Sequence, residues 1–520
     1  MSAVGTLVRA HLRRDRWALP AWWVAGTLLY CTQAVSIDGL YATQAELDQA
    51  AAAMEGNAAF VAMAGPARAL DTVGGQVAWQ STAYGVVLAG LMSTMLVVRH
   101  TRGEEESGRD ELVRAAAVPR RAPLVAAMVV ATLANVVLGV LVAASLASYG
   151  LALADSAALG VGLALAGLLL ATVALLAAQV FSTGRAVWGA TGAVIGAAFA
   201  LRAVGDVAEN GLSWLSPIGW YQAMHAFSGL RWWPAALLVL AAVPVAAGAV
   251  AAFERRDIGS GLRAASPGPA RGGRSLSGPL GLTWRLQRPA VVGWTLGLLL
   301  TGLAYGTIGD SARELIGESS QALFGGGDDL VAGYYGTTAV MLALIAGGFT
   351  VSSALRAKGE EESGRGELLL AQPLARGRWL GAHVAATVAG SVAVVVAAWL
   401  GVFVGYAVVT GEAGDAAHYA APTLVQVVPL LVLAGVAALG HALGGRASAL
   451  GWAVLAWSVV VLLFGEAWRV PGWAQGLSPY DHLPLAPAEA YAWGPVVGLL
   501  VVAALAWAAS YVVLCRRDLG

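Results

Sequence analysis

The apolar residues of this chain fall in long runs separated by short polar segments. Twelve of those runs reach about 18 residues, which at 1.5 Å per residue is enough to cross a bilayer core of roughly 30 Å. The spans are expected at about 17–37, 81–99, 122–149, 157–181, 186–204, 232–252, 290–308, 336–355, 379–409, 422–444, 448–465 and 494–514. The pattern therefore predicts an all-α integral membrane protein with about twelve transmembrane helices. The first run follows Arg9, Arg13, Arg14 and Arg16 like the basic start of a signal peptide, but no small-residue cleavage site closely follows a short apolar core, so it reads as an anchor.

Composition supports the same class. Of 520 residues, 58% are hydrophobic and only 12% charged, against roughly 25% charged in an average soluble domain. Mean hydropathy is +0.70. Thirty-one basic and thirty-one acidic residues cancel, so the sum gives no footing for nucleic acid. Their distribution is informative. Starting inside, the spans put twenty-six of the thirty-one basic residues on the cytoplasmic side, and only Arg68, Arg202, Arg231, Arg313 and Arg469 outside. The Lys and Arg bias sets orientation, so both termini are expected in the cytoplasm of a bacterial cell. Cys31 and Cys515 fall at opposite expected membrane faces, which excludes a disulfide between them.

The chain repeats itself. RGEEESGRDEL, Arg102 to Leu112, follows the second span, and KGEEESGRGEL, Lys358 to Leu368, follows the eighth. Gly184-Arg185-Ala186 answers Gly445-Arg446-Ala447, Leu215-Ser216-Pro217 answers Leu477-Ser478-Pro479, and Arg255-Arg256-Asp257-Ile258-Gly259 answers Arg516-Arg517-Asp518-Leu519-Gly520. The expected organisation is a first six-helix half over 1–253, a cytoplasmic Gly/Pro/Arg-rich linker over 254–283, and a second six-helix half over 284–520. Six spans per half make the repeat parallel, with a pseudo-twofold pore or cleft as its natural consequence.

The acidic loops carry the candidate chemistry: Glu104, Glu105, Glu106, Gly108, Arg109 and Glu111 in the first, with Glu360, Glu361, Glu362, Gly364, Arg365 and Glu367 in the second. Glu111 and Glu367 follow Glu104 and Glu360 by seven residues, a spacing expected to place the acids on one face of a docking helix beside Leu112 and Leu368. These residues, continuing to Pro119 or Pro373 and a basic stretch, resemble the segment between the second and third spans of type-2 ABC exporter permeases. The fused twelve-span form resembles actinobacterial permeases for antibiotics, polyketides included. The resemblance implies that each loop is a coupling helix resting on an ATPase, and that the chain exports hydrophobic or amphiphilic small molecules.

A phosphate-binding loop needs G-x-x-x-x-G-K-[ST], and the sole lysine, Lys358, lies in Ala357-Lys358-Gly359. If the resemblance holds, Mg-ATP is bound by a separate ATPase subunit, in two copies for two loops. The chain itself needs no cofactor. Its seven histidines form no H-E-x-x-H and no G-x-S-x-G occurs, so neither a metal nor a hydrolase site is expected.

The loops at about 205–231 and 466–493 are aromatic-rich, and Ser216-Pro217 and Ser478-Pro479 make them candidates for re-entrant outer gates. Thr43 to Glu46 and Ser311 to Glu314 fit the capping box before short outer helices. Leu7 to Arg16 is weakly amphipathic and basic, as an interfacial helix against membrane lipid would be. The competing class, a proton-coupled secondary transporter, needs titratable groups near the midplane, whereas Asp155, Arg202 and Glu466 fall at expected span ends.

Two measurements test these expectations. The purified chain alone should hydrolyse no ATP, and turnover free of any partner would overturn the reading. In a background with Cys31→Ser and Cys515→Ser, an impermeant thiol reagent outside intact cells should label Ala52→Cys but not Ser266→Cys, and the reverse pattern would invert the orientation.

Overall fold

A computed structural model describes residues 3–41, 43–55, 58–116, 118–257, 259–263, 272–273, 276, 278–307, 330–465, 469–490 and 492–517. Among them there is no strand, and eleven helical stretches are long and apolar enough to cross a membrane. The helix Ala18–Leu40 has the length for a twelfth, at 23 residues, but Thr32, Gln33, Ser36 and Asp38 make it less apolar than the others. The chain is an all-α, multi-span membrane protein of about twelve spanning helices.

It divides into two compact units, Met1–Gly268 and Pro269–Gly520. The first holds α1 (Ala3–Arg14), α2 (Ala18–Leu40), α3 (Gln44–Glu55), α4 (Ala58–Ala64), α5 (Val73–His100), α6 (Arg102–Glu106), α7 (Arg109–Ala115), α8 (Ala122–Ser148), α9 (Leu153–Val180), α10 (Gly184–Val207), α11 (Pro217–Gln222) and α12 (Trp233–Arg255). The second holds α13 (Pro279–Gly306), α14 (Leu330–Ala354), α15 (Arg356–Glu362), α16 (Arg365–Leu370), α17 (Arg376–Thr410), α18 (Ala413–Val425), α19 (Val427–Leu443), α20 (Leu450–Phe464), α21 (Gly472–Gln475) and α22 (Trp493–Arg516).

Several helices outrun the expected spans. α5 begins at Val73 rather than 81, because Thr72 caps it, its Oγ1 accepting from the Gly75 amide at 3.0 Å. Thr43 accepts from Glu46 N at 3.3 Å, which is the first half of the expected capping box. Its counterpart at 311–314, positions 258, 264–271, 274–275 and 277 of the 254–283 linker, and Glu466 lie outside the described residues.

In the first unit α9 is the hub, packed by α5, α8, α10 and α12. Its Leu, Ala and Gly residues give it little polar surface, and most of it is buried. Small residues let its neighbours approach closely. A Cβ on Gly139 of α8 would lie 2.4 Å from the carbonyl oxygen of Gly160 on α9, and one on Gly160 would lie 2.2 Å from that of Gly139. Asn135 Nδ2 donates to Ser93 Oγ at 2.9 Å, and Ser93 Oγ donates to the Gly167 carbonyl at 2.9 Å, tying α5, α8 and α9 together.

The second unit uses the same device more heavily. Gly302 and Gly306 of α13 face Gly401 and Gly405 of α17, two G-x-x-x-G runs in mutual contact. A Cβ on any of the four would come within 2.4 Å of a backbone carbonyl oxygen on the opposing helix.

The helix α1 is fastened to the start of α2 and the end of α5. The His11 ring stacks on His100 at 3.9 Å. His100 Nε2 lies 2.5 Å from Asp15 Oδ2, and Arg99 Nη1 lies 2.9 Å from Asp15 Oδ1. Burial, and then the neighbouring His100, push the His11 imidazole down to about 4, which Glu104 and Asp15 offset only in part. Burial alone would raise the Asp15 carboxyl, but the His100 hydrogen bond and the charges of His100, Arg99 and Arg14 hold it below its ordinary value.

Two predictions follow from packing and titration. Gly302→Val or Gly401→Val should cost at least the 1–3 kcal/mol or so of an overpacked core, lowering the unfolding midpoint in detergent, whereas Gly297→Ala, where a Cβ meets nothing within 4 Å, should not. Unfolding returns His11 to about 6.5, so between 6.5 and about 4 the unfolded state binds more protons and stability falls as pH drops. The depressed Asp15 adds a loss of the same sign at lower pH. His11→Phe should flatten the decline in unfolding midpoint across the first interval.

Candidate functional site: the acidic loops of the basic face

Each acidic loop folds as two short helices, not one. Gly108 and Gly364 both sit at φ +71°, in the left-handed region that glycine enters without strain, and each ends one helix and starts the next. The expected single face joining Glu104 to Glu111, and Glu360 to Glu367, therefore does not exist: the turn re-aims the second helix.

The three consecutive glutamates of the first loop each engage a different helix end. Glu104 pairs with Arg14 at the end of α1 and with Arg109 Nε at 3.2 Å. Glu105, its side chain 7% exposed, accepts from both terminal nitrogens of Arg256, just past α12, and from Arg102 Nη1 at 2.8 Å. Glu106 accepts from the Gly184 amide at 2.8 Å, at the start of α10. The two guanidinium groups are satisfied on every side. Arg102 Nε donates to the Ala178 carbonyl at 2.5 Å, and Arg256 Nε donates to Gln179 Oε1 at 2.7 Å.

The second loop repeats the plan with different partners. Glu360 Oε2 accepts from Trp379 Nε1 at 3.1 Å and lies 3.2 Å from His383 Nε2, both on α17. Glu361 accepts from Arg517 Nη2 at 2.5 Å, just past α22, and lies 3.2 Å from His441 on α19. Glu362 stays largely exposed, 3.5 Å from Lys358 on its own helix. Arg365 Nε donates to Ser363 Oγ at 2.8 Å.

The loops present outward what the second short helix carries. Leu112 is 76% exposed and Leu368 72%, and Glu111 and Glu367 beside them are exposed too. In each unit one bare leucine beside a carboxylate, on a backbone braced from behind, forms a small exposed contact surface.

On the opposite face, Ser216 Oγ accepts from Ile218 N at 3.2 Å and donates to the Ala198 carbonyl at 2.7 Å, and Pro217 is the first residue of α11. Tyr221 of α11 reaches inward, donating to the Leu159 carbonyl at 2.7 Å. Ser478 and Pro479 open a series of turns instead. A helix begun at Pro479 would run into Pro484, which lacks an N–H and whose ring clashes with the carbonyl four residues back.

Reasoning from sequence missed Arg102, Arg256, Trp379, His383, His441 and Arg517 as partners of the acids. The repeated Arg-Arg-Asp after each half's last span was visible, but nothing in spacing alone joins Glu105 to a residue 151 positions away. Among the described residues no cluster of His, Cys, Asp or Glu could hold a metal ion.

Spanning helices throughout define a multi-pass membrane protein. A family model described as the C-terminal domain of multidrug efflux system permease Rv1217c matches residues 276–514. The multidrug efflux system permease protein Rv1217c of Mycobacterium tuberculosis is 32% identical over 519 residues, covering 98% of this chain and 94% of that protein. The chain belongs to this family of multidrug efflux permeases.

The two groups of loop glutamates should behave differently when truncated. Glu105→Ala strands Arg102 and Arg256, and breaking a buried pair costs about 3–5 kcal/mol, so it should lower the unfolding midpoint of the permease itself. Glu111→Ala should leave that midpoint unchanged.

Proposed function

We propose that the chain is the permease subunit of an ATP-driven exporter that moves hydrophobic or amphiphilic small molecules out of a bacterial cell, energised by a separate ATPase subunit present in two copies. The observation that carries the reading is the pair of exposed Glu-Leu contacts, Glu111-Leu112 and Glu367-Leu368, on short helices stapled to the ends of the spanning bundles. Force applied at such a helix passes through Glu104, Glu105 and Glu106 into α1, α12 and α10, and through Glu360 and Glu361 into α17, α19 and the end of α22. A loop that only floated in solvent would transmit nothing.

In this reading the arginine-rich face is cytoplasmic, both termini lie there, and the ATPase supplies the Mg-ATP site. The Ser216-Pro217 and Ser478-Pro479 loops form the outer gate. Substrate is held by dispersion and area burial against Leu, Val, Ala, Gly and Trp side chains, which suits compounds without a fixed polar signature. The fit with the relative's name, a multidrug efflux permease, supports this choice of cargo.

Glu111→Ala with Glu367→Ala, or Leu112→Asp with Leu368→Asp, should reduce ATPase copurification and drug transport by about tenfold or more, as loss of charge-assisted or apolar contacts at an interface does. The variants should still insert and keep the parent unfolding midpoint. Normal copurification and transport in both double variants would overturn the coupling role.

A further inference from the structure

Corresponding helices of the two units are tied alike at the arginine-rich face, and then diverge. By the repeat Arg120 corresponds to Arg376 and Arg256 to Arg517, and they make the same contact: Arg120 Nη2 donates to the Arg256 carbonyl and Arg376 Nη1 to the Arg517 carbonyl, both at 2.9 Å. The start of α8 is thereby fastened to the end of α12, and the start of α17 to the end of α22. In the first unit the next residue adds an ion pair across the same two helices, Arg121 with Glu254. In the second unit neither partner is kept: Gly377 stands in place of Arg121 and Cys515 in place of Glu254.

Those replacements open a groove of about 640 Å³ between α17 and α22, within the roughly 300–1,000 Å³ of ligand clefts. It follows α17 from Gly377 to Ala389, a rise of about 18 Å at 1.5 Å per residue, with Trp507 and Tyr511 of α22 as its other wall. One leaflet supplies roughly 15 Å of hydrocarbon, half of a 30 Å core, so the groove has the length of one acyl chain. In the first unit the same place is filled. Val125 stands where the second unit has Gly381, and Met128 and Val250, in place of Val384 and Tyr511, pack against a buried cluster. At Gly381 a Cβ meets nothing within 4 Å. The two ends of the groove differ in chemistry. Ala389 and Trp507 make the deep end apolar, whereas Arg376 and an exposed Arg378 flank Gly377 at the mouth, and Tyr511 brings its hydroxyl against Gly377. No acid is among the described residues that line it. Ala122 holds the position of Arg378 in the first unit, so the second unit gains a cation at the mouth where it has lost a carboxylate.

We infer that this groove binds one anionic phospholipid from the leaflet at the arginine-rich face, an acyl chain along α17 and the phosphate at the mouth, held by Arg378 and the Tyr511 hydroxyl. Burying the chain gives little selection, because the bilayer around it is equally apolar, so the arginine decides which headgroup stays. The first unit takes no such lipid: Arg121 and Glu254 shut its mouth and larger side chains fill its slot. The lipid lies against the side of α17 opposite Trp379 and His383, the partners of Glu360, and so bears on the helix that holds the second acidic loop.

The test uses the purified full-length chain in an uncharged detergent, titrated with phosphatidylglycerol whose acyl chains are brominated and quench a tryptophan they touch. The signal is the part of the quenching that disappears in Trp507→Phe. It is expected to saturate at one lipid per chain, and phosphatidylcholine with the same chains should bind about fivefold more weakly, the contribution of one arginine at an anionic surface. Arg378→Gln, at an exposed position, should erase that preference. Gly381→Leu, which fills the groove where no atom stands in the way, should weaken phosphatidylglycerol about tenfold or more while keeping the parent unfolding midpoint. Quenching with no Trp507 component, equal binding of the two lipids, or undiminished binding to the Gly381→Leu chain would each overturn the inference. An unchanged preference in Arg378→Gln would overturn the place assigned to the headgroup.

Discussion

The structure turns on a carboxylate and an arginine that meet from distant positions in the sequence of each unit. Glu105 and Arg256 are separated by most of the first unit's sequence, and Glu361 and Arg517 by most of the second's, yet each pair closes its bundle at the arginine-rich face. Such a pair adds little net stability, because removing two charges from water costs about as much as their attraction returns. Its value is positional. Once Glu105 is committed to Arg256, the short helix that carries it cannot slide relative to α12 without stranding a charge.

Within the membrane a different constraint applies. Lipid tails are as apolar as leucine, so burying leucine against leucine provides no drive for one helix to choose another. Choice comes from how closely backbones can approach. The Gly302/Gly306 contact with Gly401/Gly405, and the Gly139 contact with Gly160, supply this in the two units, and buried hydroxyl and amide groups such as Ser93 and Asn135 add direction. Close packing makes each bundle stiff, and stiffness is what allows a load on a short surface helix to move more than that helix.

Much of this was legible in the sequence, for physical reasons. Span length and the scarcity of charge follow from bilayer thickness, so the runs appear with boundaries in error where a helix continues past its apolar stretch, as at Val73 behind the Thr72 cap and at Pro279 without one. The acidic loops were visible as a repeat, but their geometry was not. A seven-residue spacing implies one face only if the helix is unbroken, and Gly108 and Gly364 break it; the glycine in E-E-E-S-G-R was the signal. The inward turn of the glutamates was hidden because their partners lie far along the chain. The G-x-x-x-G runs at 302–306 and 401–405 were open to inspection and predict a close helix pair, though not which pair.

The two acidic loops also show how a repeated motif can keep its shape while its contacts diverge. Both keep a left-handed glycine and an exposed leucine, since these depend on residues within the loop. The partners of the glutamates depend on what neighbouring helices offer: α1 and α10 in the first unit, α17 and α19 in the second. Replacing Arg102 by Lys358 exchanges a planar fork that reaches Ala178, Ser260 and Glu105 at once for a single ammonium that reaches Ser448 and Glu362. One substitution in the motif's first position thus changes how the loop is tied to the helix ends behind it. The loops are equal in what they present outward and unequal in what lies behind them, and that inequality is built from side-chain reach rather than from any change of fold.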